Sequence, residues 1–208
     1  RGITGVTGGF KIYDGALPFI DQIDDQQPEY VGYNPSLSGL ILNFNRVYFE
    51  WKRGKDGFDL SMSATGARFK PQIEGISVAV ADRDTPGFAH SQDGSGEGWT
   101  VRKASLGTGG GRWLPVRRPF DYADEAFRLI AADKGVKLPK AKRSGQVSGT
   151  LVAAVQSSQL RDMLRSMLRF STNITAEAVG LAASSRSGAA PESLAESGTR
   201  MTDWAREA

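Results

Sequence analysis

The chain has 208 residues, 39% of them hydrophobic and 24% charged, a globular composition long enough for one large domain or two small ones. Its formal charge is +3, from 26 basic and 23 acidic side chains, a surplus too small and too scattered to point to nucleic acid. Cysteine is absent, which excludes disulfides, thiol catalysis and cysteine metal sites, and the single histidine, His90, cannot by itself build a histidine metal site. No apolar run approaches the about 18–20 residues that a membrane helix needs, so no transmembrane segment is expected in this chain. It opens at Arg1-Gly2-Ile3 without Met, in what reads as the middle of a fold, so the missing leader carries no information.

Residues 1 to about 150 read as β-rich, and the 25 glycines favour turns and sheet over a helix bundle. Leu40, Leu42 and Phe44 alternate as a strand, and Val47, Phe49 and Trp51 alternate in the opposite phase, so a bulge or bend is expected near Asn45. Lys52-Arg53-Gly54-Lys55-Asp56-Gly57, followed by Phe58, Leu60 and Met62, is the strongest hairpin signal. Ile76, Val78 and Val80 predict another strand, closed by Asp82-Arg83-Asp84-Thr85-Pro86. The stretch Gly87 to Gly98, which holds His90, reads as a mobile loop and makes a Ser-His-Asp triad unexpected there. Trp99 and Val101 begin a further strand, and Gly107-Thr108-Gly109-Gly110-Gly111 reads as a flexible turn before Trp113, Leu114 and Val116.

A helix is predicted from an Asp121 N-cap to a stop at Gly135, with Ala123, Phe127, Ile130 and Ala131 on one face. The basic cluster Lys137 to Arg143 reads as a solvated loop, because no aromatic interleaves it, and the chain then returns to a strand near Val147 to Val155. From about Ser157 the character turns helical. Leu160, Met163, Leu164, Met167 and Leu168 fall at i, i+3, i+4, i+7 and i+8, with Ser157 or Ser158 as cap. A second helix runs from about Ile174 to Ala183. A Ser/Gly/Ala stretch, Ser184 to Ala190, leads to a third with Pro191 in its first turn and Leu194, Met201 and Trp204 as apolar contacts.

Between the first two helices stands Ser171-Thr172-Asn173. A Ser-x-Asn at such a corner is one of three fingerprints of serine enzymes that bind penicillin, beside a Ser-x-x-Lys nucleophile and a Lys-Thr/Ser-Gly strand. On its own the tripeptide favours a helix N-cap, since Ser, Thr and Asn are all capping residues. Its flanks add to it: Leu160-Arg161-Asp162-Met163-Leu164 ahead of Phe170, Ile174-Thr175-Ala176-Glu177 behind, Tyr33-Asn34-Pro35 with Ser38 and Leu42-Asn43-Phe44-Asn45, Gly2-Ile3 to Gly8 with Asp14, and Pro119-Phe120-Asp121-Tyr122-Ala123 to Phe127-Arg128. In this order and spacing the chain resembles the D-alanyl-D-alanine carboxypeptidases and endopeptidases that carry a large insertion in a transpeptidase-like fold, among them the low-molecular-mass class C penicillin-binding proteins. The resemblance implies an α+β fold. Residues 1–150 would be a β-rich insertion, and residues 151–208 a helical part of the transpeptidase/β-lactamase-like catalytic domain.

The same resemblance implies the chemistry. A serine attacks the terminal D-Ala-D-Ala bond to form an acyl-enzyme, and a lysine one helical turn later takes its proton. Ser171 would relay a proton toward the leaving amine, and Asn173 would bind the substrate's acyl-side amide and hold the lysine. A hydroxyl and a carboxamide each donate and accept without charge. Partners implied are peptidoglycan stem peptides and β-lactams, in the periplasm or cell envelope, with no cofactor, no metal and no nucleic acid. No lysine here lies three residues after a serine, and none precedes Thr-Gly or Ser-Gly. Arg143-Ser144-Gly145 comes before the Ser-x-Asn and reads as a loop. The nucleophile helix is therefore expected upstream of Arg1 and the Lys-Thr-Gly strand downstream of Ala208, leaving this chain inactive alone.

A second function class is a non-catalytic envelope-binding module derived from that family, with Tyr48, Phe49, Trp51, Trp99 and Trp113 as an aromatic platform. Asp82, Asp84 and Asp93 lack calcium-loop spacing, and Gly107 to Gly111 lacks the ending of a phosphate loop. The Leu160 to Leu168 stripe is expected to have lost part of its partner surface. Another segment or a neighbouring chain is then expected to shield it, or that part to be disordered, since exposure costs about 1.5–3 kcal/mol per large side chain.

Overall fold

In chain order the backbone forms β1 (Lys11–Ile12), β2 (Arg46–Arg53), β3 (Phe58–Ser63), β4 (Ile76–Ala81), β5 (Phe88–Asp93), β6 (Gly96–Arg102) and β7 (Gly109–Pro115), then α1 (Pro119–Asp133), β8 (Lys142–Arg143), α2 (Leu160–Phe170), α3 (Asn173–Ser184) and α4 (Leu194–Glu207). This computed structural model describes residues 2–82, 86–93 and 96–207, and it is an α+β architecture.

The phase change near Asn45 has a definite cause. Asn43, Phe44 and Asn45 all take left-handed backbone angles, so the expected Leu40-Leu42-Phe44 strand is replaced by a tight turn that feeds β2. Asparagine tolerates this region and phenylalanine does not, at a cost of roughly 1–2 kcal/mol for the latter. Side-chain bonds offset it. Asn45 Oδ1 accepts from the Leu42 amide at 3.0 Å, Asn45 Nδ2 donates to Ser36 O at 2.9 Å, and Asn43 Nδ2 donates to Thr65 O at 2.8 Å.

From that turn β2 runs through the middle of an antiparallel sheet of order β3-β2-β7, the hairpin to β3 falling where the glycines of 54 and 57 predict it. A second sheet, β4-β6-β5, pairs β4 with β6 in parallel and β5 with β6 antiparallel. Val47, Phe49 and Leu114 from one sheet with Val116 just beyond β7, Ile76, Phe88, Trp99 and Val101 from the other, and Tyr122 and Ala126 of α1 form one buried core. Gly109 to Gly111 belongs to strand β7 and is no flexible turn: it pairs with Lys52, Trp51 and Glu50. Glycine is required because a Cβ at Gly110 would sit 2.7 Å from the Trp51 ring, and one at Gly111 would collide with Tyr48. The stretch Gly87 to Gly98 is likewise no loop where it is described. His90 lies in β5, its ring 5.0 Å from that of Trp99 and its Nε2 3.4 Å from the buried Glu97.

Glu97 and Arg117 tie the two halves of this region together. Both Glu97 oxygens accept from the Arg117 amide at 3.0 Å, and Oε2 also accepts from the Arg118 amide at 3.1 Å, where the chain turns into α1. The Arg117 guanidinium is buried and donates to the carbonyls of Asp21, Asn34 and Glu29 at 3.0, 2.8 and 3.0 Å. These bonds fix residues 21–34 against the sheet, as a buried charge requires. Asp121 is not the N-cap of α1. It lies in the first turn, paired with Arg118 at 2.7 Å, because Pro119 already starts the helix.

Beyond α1 the basic cluster differs from a free loop. Its lysines are exposed, but Lys137 bridges Gly5 and β8 pairs in parallel with β1, so Arg143 is in a strand. The strand expected at Val147 to Val155 does not form. That segment has no regular structure and is exposed, Val155 to 98%, and no strand among the described residues lies beside it. The N-cap of α2 is Gln159 and not a serine, and Pro191 lies ahead of α4, buried. No residue of α2 is buried, and among the described residues its stripe is only partly covered: Met163, Leu164 and Met167 are half-buried, while Leu160 is exposed and Leu168 is 77% exposed. By contrast α3 is anchored, with Ile174 and Leu181 packed on Leu37, and Leu17, Ile20 and Leu194 around them.

Candidate functional site

The corner between α2 and α3 is set by backbone. Ser171 adopts the left-handed conformation that ends α2, its amide bonding to Met167 O, and Thr172 is extended. Only the Thr172 carbonyl serves α3, accepting from the amides of Thr175 and Ala176 at 3.1 and 3.2 Å. Neither side chain caps the helix: α3 has no side-chain cap bond, and the Ser171 hydroxyl makes no hydrogen bond among the described residues. The capping role that Ser, Thr and Asn suggest from the sequence is thus not used here.

Ser171 and Asn173 are both exposed, and they face a cleft of about 420 Å³. Its walls are Gly32, Tyr33 and Pro35, then Phe44 from the left-handed turn and Arg46 at the start of β2, then Phe170 to Ile174. Asn173 Nδ2 donates to Tyr33 O at 3.3 Å across 140 residues of sequence, and Ile174 beside it is buried against Leu37. One burial and one polar contact therefore place the motif against the Tyr33-Asn34-Pro35 segment. That segment is itself held through Asn34 O by Arg117 and through the side chain of Asn34, which donates to Asp24 O at 2.7 Å.

Three aromatic rings on these walls are open to solvent: Tyr33 at 51%, Phe44 at 42% and Phe170 at 66%. Among the described residues the only charged side chain in the lining is Arg46. Its guanidinium stacks 5.0 Å from the Phe44 ring and 5.1 Å from the Trp113 ring, and burial pushes its pKa down. Next along α3, burial pushes the Glu177 carboxyl up. With a free hydroxyl, a carboxamide and the N-terminal amides of α3, the cleft can hold and polarise a neutral or anionic acyl compound.

Other sequence features lie elsewhere. Neither His90 nor the glycine run lines this cleft. Asp84 lies outside the described residues, and among the described residues no cluster of His, Cys, Asp or Glu could hold a metal. No helix among them is long and apolar enough to cross a membrane. Of the aromatic platform, Phe49 and Trp99 are core, and Trp51 bonds to Leu106 O at 2.6 Å from the same inner face. The walls Tyr33, Phe44 and Arg46 were not expected as site residues. Their one signal is that two motif blocks about 140 residues apart belong to a single resemblance, which Asn173 and Tyr33 turn into contact.

Comparison with known proteins places this geometry. The fold is similar to the crystal structure of penicillin binding protein 4 (dacB) from Haemophilus influenzae, with a TM-score of 0.67 and 16% identity over 99% of this chain and 47% of that one. It is also similar to the same protein complexed with a novel β-lactam, with a TM-score of 0.60 and 18% identity over 86% of this chain and 42% of that one. The chain thus spans about half the length of these structures. A search of curated proteins gives no match. Residues 1–202 match the profile of the D-Ala-D-Ala carboxypeptidase 3 (S13) family, and the chain belongs to that family.

Proposed function

We propose that this chain is part of a cell-envelope D-alanyl-D-alanine carboxypeptidase/endopeptidase that cleaves peptidoglycan stem peptides through an acyl-serine and binds penicillin, acting in the periplasm. Residues 151–208 carry its Ser-x-Asn motif. The observation that supports this best is the corner itself: Ser171 and Asn173 spend no side-chain bond on capping and stand on one wall of an aromatic-rimmed cleft.

In this reading the nucleophile serine and its lysine belong to segments outside residues 1–208. The serine Oγ bonds to the carbonyl carbon of the D-Ala-D-Ala bond while its proton passes to the lysine. As the C–N bond breaks, Ser171 passes a proton to the leaving amine, and water then hydrolyses the ester. Asn173 uses one Nδ2 hydrogen on Tyr33 O, which fixes the carboxamide and leaves Oδ1 and the second hydrogen for the substrate amide and the lysine.

Acylation by a labelled penicillin tests this in the full-length protein. Ser171→Ala and Asn173→Ala are expected to slow labelling about a hundredfold or more, the range for a positioned proton donor. Full-rate labelling in both variants would remove these residues from the reaction.

A further inference from the structure

One cation in the cleft has no anion to answer it. No hydrogen bond and no ion pair reaches the Arg46 guanidinium among the described residues, and its Nε is buried with no partner at all. Arg112 shares this state, its Nε buried without a partner and its guanidinium against the Tyr30 and Phe88 rings, but it does not line the cleft, whereas Arg117 and Arg128 are partnered. Arg117 donates to three carbonyls, and Arg128 meets Asp124 at 3.0 Å. Arg46 has only the faces of Phe44 and Trp113, which hold the guanidinium flat and leave its edge as the polar part.

The surroundings make this position specific. Among the described residues the lining contains no acidic side chain. Phe44, one of the two stacking rings, is held in the left-handed region by the Asn43 and Asn45 bonds, a strained arrangement of the kind that collects at ligand sites. Gly32 packs alongside: a Cβ there would come 3.1 Å from Trp113 O and 3.4 Å, ordinary contact, from Arg46 Cδ. The amide end of α3 adds a second positive feature on the same wall.

We propose that Arg46 is a specificity-determining residue that binds a carboxylate of the peptide held in the Ser-x-Asn cleft. This rests on the reading of Ser171 and Asn173 given above. A carboxylate matches the planar donor edge of a guanidinium and supplies the missing counter-charge. The carboxylate has two possible sources, the side chain of the residue before D-Ala-D-Ala or the free C-terminus.

The experiment measures kcat/KM of the full-length protein on peptides ending in D-Ala-D-Ala. One set carries a side-chain carboxylate before the D-Ala pair or its carboxamide isostere. The other compares the free C-terminus with the C-terminal amide. The wild type is expected to prefer one carboxylate over its carboxamide by about tenfold to a hundredfold, as a charge-assisted contact gives. In Arg46→Gln that ratio should fall toward one, and Arg46→Lys, which keeps the charge and loses the fork, should fall between. The pair whose ratio collapses names the source. Ratios unchanged in both variants, or all peptides slowed equally, would overturn the proposal and leave Arg46 as packing between two rings. Penicillin labelling of Ser171→Ala is run beside it: loss of labelling there with unchanged Arg46 ratios sinks this inference alone.

Discussion

Strand β2 and helix α2 both announce themselves by apolar periodicity, and the structure treats them oppositely. In β2, Val47 and Phe49 are fully buried between two sheets and α1, while α2 has no buried residue and Leu168 is 77% exposed. Periodicity states which face wants cover and not whether cover is present. The β2 face finds its partners within residues 47–126, and among the described residues the α2 face finds only partial cover, with Met163, Leu164 and Met167 half-buried. Next to α2, helix α3 marks the boundary between the two cases, since its Ile174 and Leu181 reach Leu37 and so carry the Ser-x-Asn corner into a defined place.

The contrast can be broken by mutation. Phe49→Ala should cost about 3–5 kcal/mol in a denaturant titration, the range for emptying a buried aromatic site. A cost below about 1 kcal/mol would mean that the sheets do not close on it.

A smaller effect is expected at Tyr122, whose hydroxyl donates to Arg46 O at 2.8 Å from within the same core. Tyr122→Phe leaves that carbonyl only the longer bond from Asn43 Nδ2 at 3.4 Å and should cost about 0.5–1.5 kcal/mol at neutral pH. Burial pushes this phenol up to about 12 from an ordinary value near 10. A raised value means that the folded state holds the proton longer, so this contribution is whole below about pH 10 and is lost as pH rises through about 12. The stabilities of wild type and Tyr122→Phe should converge over that window. Parallel curves would place the phenol in water.

The smallest effect belongs to the other region. Leu168→Ala should change stability by no more than about 0.5 kcal/mol, as for a surface position, and amide exchange in α2 should run faster than in β2. A core-sized penalty at Leu168 would show that its stripe is covered after all and erase the distinction between the two regions.

Local rules were enough wherever neighbours in sequence are neighbours in space. The β2–β3 hairpin, the strand of Ile76, Val78 and Val80, the 3.6-residue stripe of α2 and the helix after Asn173 follow from alternation, glycine placement and spacing. The Ser-x-Asn corner was legible as well, and its flanking resemblance pointed to the S13 family. Local rules failed where long-range packing overrode them. Gly109 to Gly111 looks like a turn, yet Tyr48 and Trp51 need bare backbone beneath their rings. The Gly/Ser-rich stretch around His90 looks like a loop, yet β6 offers it a strand to pair with. Val147 to Val155 has the composition of a strand and remains irregular, because a strand needs a neighbour.

By itself, the order of residues determined the family, the element types of the regular segments and the two polar groups at the helix corner. Only the folded chain decided which groups share a wall with them. Tyr33, Phe44 and Arg46 lie far from residue 171 in sequence, and they reach the cleft through the burial of Ile174 on Leu37, the left-handed turn at Asn43 to Asn45 and the carbonyl bonds of Arg117. Those contacts join segments separated by more than eighty residues, and no local propensity encodes a distance of that kind.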